Sequence, residues 1–259
     1  MMKLTVLVEN TAGNKCLAEH GLSYLIEADR TILFDTGASD LFIQNARQLN
    51  IDLENVKTVV LSHGHYDHSN GLFFLKNKKL ICHPDTFIDR YRKAEGTPLG
   101  IQLDRNKTGK LFEVETSREP LRLSEQIWFL GEVPRRNNFE SKETAFMLED
   151  GSDDFTLDDS GLAIVGNDGL IVVSGCAHAG ICNTVDHAMR ITGQQKVQAV
   201  IGGFHLKRND ELTRQTIEHL KRLNVQQVIP AHCTMLPALA AFYAEWQFVQ
   251  LKSGNMLKF

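Results

Sequence analysis

Apolar and polar positions alternate in two different rhythms along this chain, and the switching between them predicts a layered α/β protein. Met2-Lys3-Leu4-Thr5-Val6-Leu7-Val8-Glu9 alternates with the period of a strand. Residues 22–28 and 31–35 read as two more strands, split by a turn at Asp29-Arg30. A helical rhythm follows over 39–50, where Leu41, Phe42, Ala46 and Leu49 share one stripe and Ser39 or Asp40 can cap the first turn. A strand over 56–62, a helix through 72–75 and a strand over 80–83 continue the β-then-α order.

The pattern then breaks. Residues 84–120 are polar, carry Arg90, Arg92, Lys93, Arg105, Lys107 and Lys110, and contain Gly96-Thr97-Pro98 and Lys107-Thr108-Gly109 as breakers. They read as an insertion over the site rather than a domain. The second half begins near Leu121, with strands predicted over 126–130 and 143–148 and a hairpin of strands 162–165 and 170–174 around Gly166-Asn167-Asp168-Gly169. Helix 181–191, strand 197–201, helix 211–223, strand 225–229 and a final helix over 237–251 complete it. The acidic run from Glu149 to Asp154 lacks the spacing of an EF-hand loop and reads as solvated turns.

Chemistry concentrates in residues 63–68, His-Gly-His-Tyr-Asp-His, directly after an apolar run. Three imidazoles and a carboxylate in six positions have the density of a metal site. One turn cannot point four donors at one small ion, so His63 and His65 are assigned to one cation and Asp67 and His68 to a second. Among the other histidines, His187 and His219 fall inside predicted helices, and His83 ends a strand with no further donor nearby. His178, His205 and His232 each follow an apolar strand, where α/β architectures gather their active groups.

The hexapeptide resembles the HxHxDH signature of the metallo-β-lactamase-fold superfamily of metallohydrolases. Leu33-Phe34-Asp35-Thr36-Gly37 resembles the superfamily's first motif, whose Asp supports the metal loop without binding the ion. Ser174-Gly175-Cys176-Ala177-His178, Gly202-Gly203-Phe204-His205-Leu206 and Pro230-Ala231-His232-Cys233-Thr234 are similar to one branch, the 7,8-dihydropterin-6-methyl-4-(β-D-ribofuranosyl)aminobenzene-5′-phosphate synthase-like metal-dependent hydrolases. Glu19-His20-Gly21-Leu22-Ser23 and Gly131-Glu132-Val133-Pro134-Arg135 resemble that branch too.

The resemblance implies a single domain over 1–259 with a four-layer αββα sandwich, and two divalent metal ions, Zn2+ first with Mn2+ or Fe2+ as alternatives. It assigns His63, His65 and His178 to one ion, and Asp67, His68 and His232 to the other. This departs from the usual order, because no histidine lies between His83 and His178 and Cys176 stands where the bridging Asp is expected. Whether Cys176 binds metal, hydrogen-bonds beside it or packs under it is open. His205 can ligate, donate a proton or hold an oxyanion, and substrate contact or acid catalysis is preferred.

The expected activity is attack by metal-activated water, oriented by Asp67, on a small ester-like substrate such as a phosphoester, lactone or thioester. Arg135, Arg136, Lys207 and Arg208 lie in loops that can hold a phosphate or carboxylate. Two other classes are carried beside it: a metal-containing sensor without turnover, and an iron redox site on the same scaffold.

Composition narrows the partners. A formal net charge of -4 gives no general attraction to nucleic acid or anionic membrane. The start lacks a long apolar segment and a small-residue cleavage site, so a cytoplasmic protein is expected. Five cysteines, an odd number, fit reduced thiols better than a disulfide framework.

Overall fold

In the computed structural model, which describes residues 1–259, the longest apolar runs become strands covered on both faces. The strand Gly169–Ser174 makes the reason plain: Ile171 and Val173 enter one core while Leu170 and Val172 enter another. A strand sandwiched between two cores has no solvent face and so needs no polar alternation.

The first sheet has the order β15 (Met256–Lys258), β1 (Lys3–Val8), β2 (Ser23–Glu27), β3 (Thr31–Phe34), β4 (Thr58–Val60), β5 (Lys78–Cys82) and β7 (Phe112–Thr116). The second runs β14 (Gln227–Ala231), β13 (Val197–Gly203), β12 (Gly169–Ser174), β11 (Gly161–Gly166), β9 (Ile127–Phe129) and β8 (Leu121–Arg122). Leu4, Ile26, Phe34 and Val60 of the first sheet meet Phe129, Ile164, Val173 and Ile201 of the second in the central core. Helix α1 (Leu41–Gln48) buries Phe42 and Ala46 against the outer face of the first sheet. Helices α4 (Ile181–Thr192), α5 (Glu211–Arg222) and α6 (Leu236–Trp246) cover the second through Val185, Leu220 and Phe242. This is the αββα sandwich expected from the sequence.

Several elements depart from expectation. The 143–148 strand shrinks to β10 (Phe146–Leu148), which leaves both large sheets to pair with β6 (Arg90–Arg92) in a separate ribbon. Residues 84–120 are only partly an insertion, since they also supply α3 (Arg105–Leu111) and β7 at the edge of the first sheet. The anticipated 72–75 helix is a 3-10 turn, Asn70–Phe74. Helix α6 stops at Trp246, because Gln247 takes a left-handed conformation at φ +48°.

Strands β3, β4, β12, β13 and β14 all release the chain at one edge of the sandwich. Asp35, Ala177, His205 and His232 follow four of them, β3, β12, β13 and β14, with φ of +55°, +50°, +51° and +49°. These abrupt left-handed reversals return each donor toward a common point. No helix is long and apolar enough to cross a membrane.

Candidate metal centre

The turn after β4 is built by steric and hydrogen-bond constraints. A Cβ on Gly64 would sit 2.0 Å from the Thr86 carbonyl oxygen, so only glycine fits between His63 and His65. Its N–H donates to Asp158 Oδ2 at 2.7 Å, and its carbonyl accepts from the Ile101 N–H at 2.7 Å. His65 is still extended, and the one-turn helix α2 (Tyr66–Ser69) then swings Asp67 and His68 to the other side.

The hexapeptide divides between two donor sets, which overlap further groupings of His63 with His68 and Cys176 and of Cys176 with His205 and Cys233. Ligand atoms of His63, His65 and His178 lie within 4.8 Å of one another. Ser62 Oγ is 2.9 Å from His63 Nδ1, leaving His63 Nε2 to face His65 Nδ1 at 2.9 Å. Buried Nε2 atoms of His65 and His178 have no partner. In the second set, His68 Nε2 and His232 Nε2 are 3.0 Å apart, and Asp67 Oδ2 lies 3.7 Å and 3.3 Å from them. The sets share a wall, with the His63 and His68 ring centroids 4.3 Å apart. Cys176 Sγ is 3.2 Å from His68 Nε2, so the thiol touches the second set. Converging imidazole nitrogens and orphaned buried lone pairs are costly alone. Divalent cations suited to nitrogen and carboxylate donors fit this arrangement.

Asp35 holds the turn from behind, accepting from Ser62 N, Ser62 Oγ and His68 Nδ1, each at 2.7 Å. Its bond to Nδ1 fixes the tautomer that leaves His68 Nε2 free. Asp35→Ala is therefore expected to weaken zinc affinity roughly 10- to 100-fold while leaving every donor in place. Chelator competition measures this, and an unchanged affinity would refute the orienting role. On the other side, Glu9 accepts from the His232 N–H, and Asn10 Oδ1 accepts from His232 Nδ1 at 3.0 Å, which leaves His232 Nε2 as the free nitrogen.

Burial pushes the imidazoles of His63, His65 and His178 well below their usual range, so they stay neutral lone-pair donors. Burial also opposes charge on His68, but the Asp67 and Asp35 carboxylates overcome it and raise its pKa to about 9, so without a cation Nε2 carries a proton that a bound ion would displace. For Asp67 burial favours protonation, and the facing His68 and His232 outweigh it, holding the carboxyl well below the ordinary carboxylate range.

A titration prediction arises beside this wall. Burial pushes Asp159 up to about 7 from 3.8, against the opposing pull of the Ala179 N–H, which donates to Oδ2 at 2.9 Å, and of Arg135. Between those two values the native carboxyl keeps a proton that the unfolded chain has released, so its contribution to stability falls as pH rises. Asp159→Asn should thus gain stability relative to wild type from pH 5 to 8, read from urea midpoints. Parallel pH profiles would contradict it.

A cavity of about 580 Å³ opens against the first donor set, lined by Phe146, Phe155, His178, His205, Lys207 and Arg208, among others. Phe146 stands edge-on to His65 and His178, with ring centroids at 4.9 and 5.4 Å. His205 is 4.5 Å from the His178 ring, and its buried Nδ1 has no partner. Lys207 and Arg208 therefore sit where the sequence suggested, joined by Lys142, which it did not single out. Arg135 and Arg136 do not line this cavity. The guanidinium of Arg135 donates to the carbonyls of Phe155 and Thr156 at 2.6 and 3.1 Å.

His187 Nε2 meets the Leu130 carbonyl at 3.0 Å, and His219 meets Asp186 at 3.0 Å, so both serve packing. His20 was not singled out, yet its Nε2 lies 3.3 Å from Asp67 Oδ2. The signal present was the tract Glu19-His20-Gly21-Leu22-Ser23, whose distance along the chain from the hexapeptide hides their contact.

Comparison with known proteins agrees with this geometry. The profile of the Metallo-beta-lactamase superfamily matches residues 18–83. The chain is 36% identical to a 7,8-dihydropterin-6-methyl-4-(beta-D-ribofuranosyl)-aminobenzene-5'-phosphate synthase of Methanocaldococcus jannaschii, covering 100% of this chain and 97% of that protein. An uncharacterized protein of the same organism is 34% identical over 98% of this chain and 99% of its own. A crystal structure of a metal-dependent hydrolase of the beta-lactamase superfamily superposes with a TM-score of 0.89 at 29% identity, covering 100% and 99% of the two chains.

Proposed function

Because this chain belongs to the metallo-β-lactamase superfamily, in the family of the dihydropterin-linked phosphate synthase, we propose that it is a binuclear metal-dependent hydrolase of a small, phosphate-bearing ester. The observation that carries the reading is the pair of donor sets sharing one wall, with a cavity opening beside them. His63, His65 and His178 would hold one ion, and Asp67, His68 and His232 the other. Bound divalent ions, zinc first for this nitrogen-rich set, would supply Lewis acidity and bring the pKa of water from ~16 to about 7.

The chain's own residues do the rest. Asp67, ionised and pinned between His68 and His232, orients the attacking water through its carboxylate. His205, beside His178 on the cavity wall, donates a proton to the leaving oxygen. Lys207, Arg208 and Lys142 hold the anionic end of the substrate, and Phe146 and Phe155 pack on its body.

A second reading draws on the name of the 36% identical relative, which is a synthase. On the same scaffold an organic nucleophile would then take the place of water. Elemental analysis followed by a panel of phosphodiesters, lactones and thioesters with zinc, manganese and iron tests the proposal. Two ions per chain and turnover of a phosphorylated member, without an added acceptor, are the expected result. Turnover only with an amine acceptor favours the synthase reading. Metal without any turnover leaves a sensor, and obligate iron with electron transfer leaves the redox site.

A further inference from the structure

We propose that His20 is a fourth protein donor to the ion held by Asp67, His68 and His232, an inference that rests on the binuclear reading above. Ligand atoms of His20, Asp67 and His232 lie within 4.8 Å of one another, as closely grouped as those of His63, His65 and His178. Asp67 Oδ2 is 3.3 Å from His20 Nε2 and 3.3 Å from His232 Nε2, so both imidazoles address the same carboxylate oxygen. Their rings stack with centroids 5.3 Å apart and planes 24° from parallel, which directs the two Nε2 atoms side by side.

The loop bearing His20 is anchored for this purpose on both sides. Glu19 accepts from Ala38 N, Ser39 N and Ser39 Oγ at 2.9, 3.2 and 2.6 Å, fixing the residue before His20 to the start of α1. After it, the Gly21 N–H donates to Asn10 Oδ1 at 3.3 Å, and the Leu22 N–H donates to the Asp67 carbonyl at 3.1 Å. Asn10 also donates to the His232 carbonyl at 3.0 Å, so one side chain ties the loops of both histidines together. A Cβ on Gly21 would approach the Asp67 carbonyl oxygen to 2.8 Å, which shows how tightly the loop lies on the metal turn.

His20 is half exposed, whereas His68 and His232 are sealed from solvent. It closes the second set from the water side. An ion with four protein donors is of the closed, holding type. Substrate would then approach the ion held by His63, His65 and His178, because His178 lines the cavity. The two ions are thereby given unequal tasks: one positions and the other receives substrate.

The test compares wild type, His20→Ala and His20→Gln by zinc titration against a chelator and by the visible spectrum of the cobalt-substituted protein. Circular dichroism verifies folding, which a half-exposed side chain does not threaten. Both variants should bind the first zinc equivalent normally and the second at least about 100-fold more weakly. The cobalt spectrum of the second equivalent should lose intensity as a nitrogen donor is replaced by water. Wild-type affinity and spectrum in His20→Gln, which can still hydrogen-bond Asp67, would overturn the ligand role while leaving the binuclear site standing. A wild-type protein that takes up fewer than two equivalents would overturn both.

Discussion

Asp67→Ala is expected to lower kcat by roughly 10³-fold and to release one of two metal equivalents. The carboxylate is buried, lies 3.3 Å from both His20 and His232 and 3.7 Å from His68, and is the only anion among these imidazoles in the second donor set. Removing it leaves neighbouring nitrogens without the negative charge that balances a cation, and leaves the attacking water without its orienting oxygen. Asp67→Asn keeps one carbonyl oxygen and should retain more metal than alanine, yet share most of the loss in kcat. Metal content per chain and steady-state rates on the best member of the substrate panel decide the matter. Full activity with one ion in Asp67→Ala would end the two-ion mechanism.

Arg90→Met should cost about 3–5 kcal/mol of stability. For a chain of this size that is a drop in melting temperature of roughly 10 °C. Arg90 is 1% exposed, pairs with Asp158 at 2.8 Å and lies 3.6 Å from Asp154. Deleting the guanidinium strands two buried carboxylates, and one of them, Asp158, also accepts the Gly64 N–H between His63 and His65. The damage should thus reach the centre as well as the fold. Arg90→Met combined with Asp158→Asn removes the nearer of the two uncompensated charges, leaves Asp154, and keeps an acceptor for Gly64, so part of the stability should return. Thermal melts of the single and double variants test this, and a double variant no better than the single one would refute the charge argument.

Much of this was legible because the donors are local or mark strand ends. The hexapeptide packs four of them into one turn, and His178, His205 and His232 each close an apolar run. What escaped depends on contacts distant in sequence. Arg90 reads as one more charge in a basic stretch, and only the ribbon of β6 with β10 turns it inward. Helix α3 contains Gly109 and a polar face, both poor signals, but Asp104 caps it by accepting from Lys107 N at 2.9 Å. Strand β15 is three residues with no β-branched side chain, and it exists because β1 offers an edge for Met256, Leu257 and Lys258. Arg135 reads as a loop charge, and its bonds to the carbonyls of Phe155 and Thr156 are visible only in the fold. Sequence pattern reports what a residue can do, and burial decides which option is taken.

Asp35, Ala177, His205 and His232 all occupy the left-handed region at the rim of one edge. Each such backbone costs about 1 kcal/mol relative to a relaxed turn. A laboratory selection for heat resistance carried out under chelating conditions should therefore reward glycine at position 177 and looser reversals elsewhere on that rim. The same selection with ions supplied should keep the residues now present. Heat resistance and the present backbone geometry would then be set against each other at these four positions, and the supply of ions, rather than the mutagenesis scheme, would decide which of them prevails.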